Sequence, residues 1–120
     1  MPNRQKIVGI VEDDASMLRA AGDLLEAHGF ATLAFASAEE FLAHGAAKHV
    51  DCLLLDIGLG GMSGIELRRQ LKGFGSTLPI IFITALDNDT VERLALETGC
   101  VLRKPFSQRA LVEAIGKAVA

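Results

Sequence analysis

The sequence predicts an α/β fold: a doubly wound parallel sheet of five strands with helices on both faces. Three observations carry this. Mostly apolar runs at residues 6–11, 30–35, 51–55, 80–84 and 100–103, the first of them β-branched, are each followed by a segment with helical apolar spacing. The connections are short, with no internal repeat, linker or low-complexity stretch. The central run Cys52-Leu53-Leu54-Leu55 is wholly apolar, as expected of a strand buried on both faces. Strict alternation implies right-handed crossovers, so all five strands point the same way.

Each element has its own signal. Lys6–Val11 is the first strand, stopping at Glu12-Asp13-Asp14. From Ala15 the period changes, with Met17, Leu18, Ala21, Leu24, Leu25 and His28 at helical spacing and Gly29 as the stop. Phe30–Phe35 is the second strand. Ser37-x-x-Glu40 is a capping box opening a short helix through Phe41 and Leu42. The chain returns over 45–50 to the third strand at Asp51. Ser63-x-x-Glu66 caps a helix bearing Ile65, Leu67 and Leu71, which fades at Gly73 and Gly75. Pro79 precedes the fourth strand, Ile80–Thr84. Asp89-x-x-Glu92, with Asp89 as the cap, starts a helix with Val91, Leu94, Ala95 and Thr98 on one side, ended by Gly99. Cys100–Arg103 is the fifth strand, broken by Pro105. Ser107 caps a last helix with Leu111, Val112, Ile115 and Val119 inward.

Composition narrows the functional classes. The 120 residues, half of them apolar, suit one domain over 1–120 with a real core. A net charge of −3 and the lack of Trp and Tyr give no reason to expect nucleic acid contact by this segment. No apolar run approaches bilayer length, and the polar start Met1–Lys6 is not a signal peptide. A cytoplasmic location is expected, with no membrane contact. Cys52 and Cys100 fall in predicted strands without a CxxC partner and read as buried, reduced thiols. His28, His44 and His49 read as solvated.

With all strands parallel, their carboxyl ends share one rim, where ligands bind in open α/β sheets. That rim carries Glu12 and Asp13, Asp56, Thr84 and Lys104. Each alone has a plain reading: acids favour helix starts, Asp before Gly starts turns, and Lys104 could be a surface lysine. Together they demand more, because three carboxylates on one rim repel one another and burial adds to the cost. A hard divalent cation offsets this, and Mg²⁺ takes oxygen ligands. Such an ion also bridges to phosphoryl oxygens. Asp56, at a strand end with glycines behind it, is best placed to act as a nucleophile and become an aspartyl phosphate.

Val11-Glu12-Asp13-Asp14, Leu55-Asp56-Ile57, Met62-Ser63-Gly64, Ile83-Thr84-Ala85 and Lys104-Pro105-Phe106 together resemble the landmarks of the response-regulator receiver domain of two-component signalling. The resemblance covers essentially the whole chain. It implies a flavodoxin-like sheet of order 2-1-3-4-5 and phosphorylation of Asp56 from the phosphohistidine of a sensor histidine kinase or phosphotransfer protein. It implies Mg²⁺ held by Glu12 (through water), Asp13, Asp56 and the carbonyl of Gly58. Thr84 and Lys104 would bind phosphoryl oxygens, Asp14 would be a variable neighbour, and Lys104–Pro105 would be cis. Such a protein is not an enzyme with a separate substrate: it catalyses only its own phosphorylation and a slow self-dephosphorylation. The slowness follows from Gly58 and Leu86, which offer no side chain to orient water. The output, and whether the chain forms a homodimer, stay open.

Three departures stand out. Gly60-Gly61 occupies the loop where the family usually has a proline, which implies a more mobile loop. The stretch from Thr84 to Lys104 is about two residues shorter than the resemblance implies. Val101 stands where the family has an aromatic, so the usual switch on the fourth helix, fifth strand and fifth helix is in question. Rival classes fare worse. A phosphatase with an aspartate nucleophile, resembling the haloacid dehalogenase family, needs an acid at Gly58. A flavin carrier on this fold needs a phosphate loop where three acids stand. A pseudo-receiver that only binds partners is disfavoured by the intact rim and kept open by Val101.

Overall fold

The computed structural model describes residues 4–120. Of the polar start, residues 1–3 lie outside the described residues. In chain order the elements are β1 (Ile7–Val11), α1 (Ala15–Ala27), β2 (Ala31–Phe35), α2 (Ala38–Ala43), a 3₁₀ turn (Ala46–Lys48), β3 (Cys52–Asp56), α3 (Gly64–Gly73), β4 (Ile80–Thr84), α4 (Asp89–Thr98), β5 (Val101–Arg103) and α5 (Gln108–Ala118). The sheet order is β2-β1-β3-β4-β5 and every pair is parallel. This is the doubly wound architecture expected from the alternation; the 3₁₀ turn was not foreseen.

Strand alternation divides the core. From β3, Leu53 and Leu55 pack with Phe41, Leu67, Leu71, Phe82, Val91 and Leu94 on the side covered by α2, α3 and α4. Cys52 and Leu54 pack with Ile10, Leu25, Ile81, Ile83, Leu111 and Ile115 on the side of α1 and α5. All five β3 residues are buried, whereas β2 at the sheet edge has none. The fully apolar run therefore marks the middle of the sheet.

The helix starts follow the caps, with two corrections. Ser37, Ser63 and Ser107 accept from the amides of Glu40, Glu66 and Ala110 at 3.1, 3.1 and 3.0 Å. The reciprocal half of each capping box is absent: Glu40 accepts instead from the Ala36 amide, and Glu66 pairs with Arg69. The cap of α4 is Asn88, not Asp89; its Oδ1 accepts from the Val91 amide at 3.1 Å, and Asp89 is the first helical residue. Asn and Asp are equally good caps, so the pattern alone was ambiguous by one position. Cys52 is buried, and burial raises its thiol to about 12. Cys100 is exposed, contrary to expectation, because it stands at the start of β5, an edge strand with no fully buried residue. His28, His44 and His49 are exposed as expected.

Gly64 brings α3 against the end of β3. A Cβ there would lie 2.4 Å from the Asp56 carbonyl oxygen and 3.1 Å from the Ile57 Cα. Both are backbone, so neither can rotate away. Gly116, in the last turn of α5, has nothing within 4 Å of its would-be Cβ. Gly64→Ala is expected to cost about 1–3 kcal/mol by overpacking. Gly116→Ala is expected to stabilise by about 0.5–1 kcal/mol through helix propensity. Urea unfolding midpoints check both signs.

Candidate functional site

The parallel register brings the rim together. Glu12 follows β1, Asp56 and Thr84 end β3 and β4, and Lys104 follows β5. The ladder continues into these residues: the Glu12 amide donates to Phe35 O at 3.1 Å, Ile57 to Ile83 O at 3.0 Å and Lys104 to Thr84 O at 2.7 Å. Their backbones are thus as fixed as the strands. The Lys104–Pro105 peptide is cis.

Lys104 reaches into the acids. Its Nζ lies 2.7 Å from Glu12 Oε1 and 3.4 Å from Asp56 Oδ2. Glu12 is 1% exposed and Asp56 6%. Asp13 is exposed, yet Glu12, Asp13 and Asp56 each offer an oxygen within 4.8 Å of the others. Gly58 donates its amide to Asp56 Oδ1 at 3.0 Å. Thr84 is fully buried, and its Oγ1 accepts from the Leu86 amide at 2.9 Å, which leaves the hydroxyl hydrogen to donate elsewhere. Leu86 itself is 46% exposed. Glu12, Asp13, Asp56 and Lys104 therefore meet at one edge, whereas Thr84 ends the neighbouring strand β4 fully buried, its hydroxyl oxygen turned to the Leu86 amide.

The electrostatics show which effect wins. Burial raises Glu12 to about 7, helped by Asp56 and opposed by Lys104. Desolvation and carboxylate repulsion together thus outweigh a direct ion pair. At Lys104 burial works against the charge, but the hydrogen bond to Glu12 and the charge of Asp56 raise it overall. One ammonium offsets only part of three carboxylates. The donors are all oxygens, with no histidine or cysteine among them, which fits a hard divalent cation.

Some of the surroundings were not legible. Asp14 caps α1, its Oδ1 accepting from Ser16 and Met17 amides at 2.9 and 3.2 Å. The sequence signal was present, since an acid preceded the first apolar-periodic residue. The loop after Asp56 is tied on both sides. Gly60 donates to Asp13 Oδ2 at 3.2 Å, and Met62 to Glu39 Oε2 at 3.0 Å. Glu39 had no sequence signal, because an acid in a first helical turn already has a reason to be there. Met62 and Phe106 pack against the two core clusters. Val101 is partly buried against the cluster on the α3 and α4 side.

Glu12 makes a pH prediction. In the unfolded chain its carboxyl titrates near 4.5, in the fold near 7. Between those values the folded state binds the extra proton, so stability of the metal-free protein falls as pH rises through that window. Melting curves from pH 4.5 to 8 should show wild type losing stability relative to Glu12→Gln. Parallel curves would remove the raised carboxyl. Asp56→Asn, which takes one charge from the cluster, should raise the metal-free melting temperature by a few degrees, and Mg²⁺ should stabilise wild type more than the variant.

A family model described as the response regulator receiver domain matches residues 8–116. The chain is 34% identical over 121 residues to the response regulator protein TodT of Pseudomonas putida, covering 99% of this chain and 53% of TodT. It is 37% identical over 111 residues to nodulation protein W of Bradyrhizobium diazoefficiens, covering 91% of this chain and 49% of that protein. The chain thus spans about half the length of the curated relatives it matches. The crystal structure of a response regulator receiver protein from Burkholderia phymatum superposes with a TM-score of 0.81 at 37% identity, over 96% of this chain and 95% of that one. Among the described residues no helix is long and apolar enough to cross a membrane. By motif order, sheet topology and family match, the chain belongs to the response regulator receiver domains of two-component signalling.

Proposed function

We propose that Asp56 is the phosphoacceptor, taking a phosphoryl group from a phosphohistidine of a sensor histidine kinase or phosphotransfer protein. The observation that carries this is the Lys104 ammonium between Glu12 and Asp56, with Asp13 alongside, at the carboxyl edge of the sheet. An Asp56 carboxylate oxygen attacks phosphorus; the P–O bond forms as the P–N bond to imidazole breaks. The imidazole leaves with that electron pair.

Each residue has a part. Gly58 N–H holds Oδ1 of the nucleophile at 3.0 Å and so orients the carboxylate. Lys104, already 3.4 Å from Oδ2, moves with the new negative charge and pairs with a phosphoryl oxygen. The Thr84 hydroxyl donates to another. Glu12, Asp13, Asp56 and the Gly58 carbonyl are the groups that would hold Mg²⁺, with Glu12 acting through water. When bound, that ion neutralises charge on the transferred group and lowers the repulsion among the acids. Phosphorylation then alters contacts with a partner or an output domain, through a face on which Val101 replaces the family's aromatic. This reading takes residues 1–120 as one receiver domain, cytoplasmic and without direct nucleic acid contact.

Incubation with a small phosphodonor and Mg²⁺ should add one phosphoryl mass to the intact protein. Asp56→Asn should abolish the gain, and Lys104→Ala should slow it by about a hundredfold or more, as expected for losing a charge aimed at the reacting group. An equal mass gain in Asp56→Asn defeats the assignment.

A further inference from the structure

Glycine at 58, 60 and 61 gives the loop after Asp56 more freedom than any other residue would. That loop nevertheless has to present Gly58, whose amide holds Asp56 Oδ1. Two carboxylates from outside the loop restrain it: Asp13 through the Gly60 amide, and Glu39 through the Met62 amide. Asp13 is also one of the three clustered acids, so its oxygens have a second claim on them. Glu39 is outside that cluster.

We infer that Glu39, at the start of α2, is a positioning residue that holds the Gly58–Met62 loop in register with Asp56. The inference rests on the reading of Asp56 as phosphoacceptor. Three features support it. The Met62 N–H to Glu39 Oε2 distance is 3.0 Å. That amide holds the Glu39 carboxyl below its ordinary value. Gly61 has φ +70°, and a Cβ there would sit 2.7 Å from the same carboxylate oxygen. The glycine therefore does two things: it takes the left-handed turn and it leaves room for the Glu39 side chain to reach the next amide. The tie on this side of the loop comes from α2.

Compare wild type, Glu39→Ala and Glu39→Gln. Both variants lose the charge, but glutamine keeps an acceptor oxygen. In metal-free protein, hydrogen exchange at the Met62 amide should speed up about tenfold in Glu39→Ala, where the acceptor is gone, and much less in Glu39→Gln, where it is kept. The Phe41 amide, bonded within α2, should not change. With Mg²⁺, the metal dissociation constant and the phosphorylation rate should follow the same order, several-fold worse in Ala and largely restored in Gln. Gly61→Ala should mimic Glu39→Ala, and the double variant should lose less than the sum. Equal behaviour of Ala and Gln, no change at Met62, or matching acceleration at Phe41 overturns the inference. The exchange readout needs no phosphoryl chemistry. Failure of wild type to take a phosphoryl group would instead defeat the reading of Asp56 and leave the tether standing.

Discussion

Charge crowded at one sheet edge is the constraint on which this structure depends. Glu12 and Asp56 are buried, Asp13 stands beside them, and a single ammonium lies among them. Such an arrangement persists only if the backbones carrying it cannot retreat. The parallel ladder supplies that: the Glu12, Ile57 and Lys104 amides are each bonded to a neighbouring strand. The apolar layers on both sheet faces hold the strands in turn. The residual repulsion favours added positive charge, and the proposed Mg²⁺ site rests on it.

The loop behind Asp56 is the soft part of this rigid setting. Its two ends are treated differently. At the far end of the loop the Gly64 amide donates to Ile57 O at 3.3 Å, and α3 starts so close to β3 that a Cβ there would strike the Asp56 carbonyl. Before it, Gly61 takes a left-handed turn that a side chain would strain, and Asp13, beyond the end of β1, and Glu39 of α2 tie the loop down. Rigidity here comes from hydrogen bonds across the fold, which can be exchanged, and not from the covalent stiffness of a ring.

How well the site could be read follows from the kind of contact involved. Asp56, Glu12, Asp13 and Lys104 were legible because each sits at a strand end, and strand ends are marked by abrupt changes in apolar pattern. Asn88 was missed by one position because adjacent Asn and Asp cap equally well. Cys100 was misjudged because it leads into β5, an edge strand none of whose residues is fully buried, so an apolar run there does not mean an interior. Glu39 gave no signal: its contact spans 23 residues, and an acid in the first turn of a helix is unremarkable.

The sequence by itself determined the alternation of strands and helices, the buried central strand and the set of charged residues at the strand ends. These follow from local periodicity, capping chemistry and the handedness of crossovers, all encoded within short windows. Only the tertiary structure decided that Lys104 lies between Glu12 and Asp56, that Thr84 is sunk below the rim and that Glu39 grips the glycine loop. Those are side-chain meetings between distant segments, and their distances depend on how whole layers pack, which no local pattern specifies.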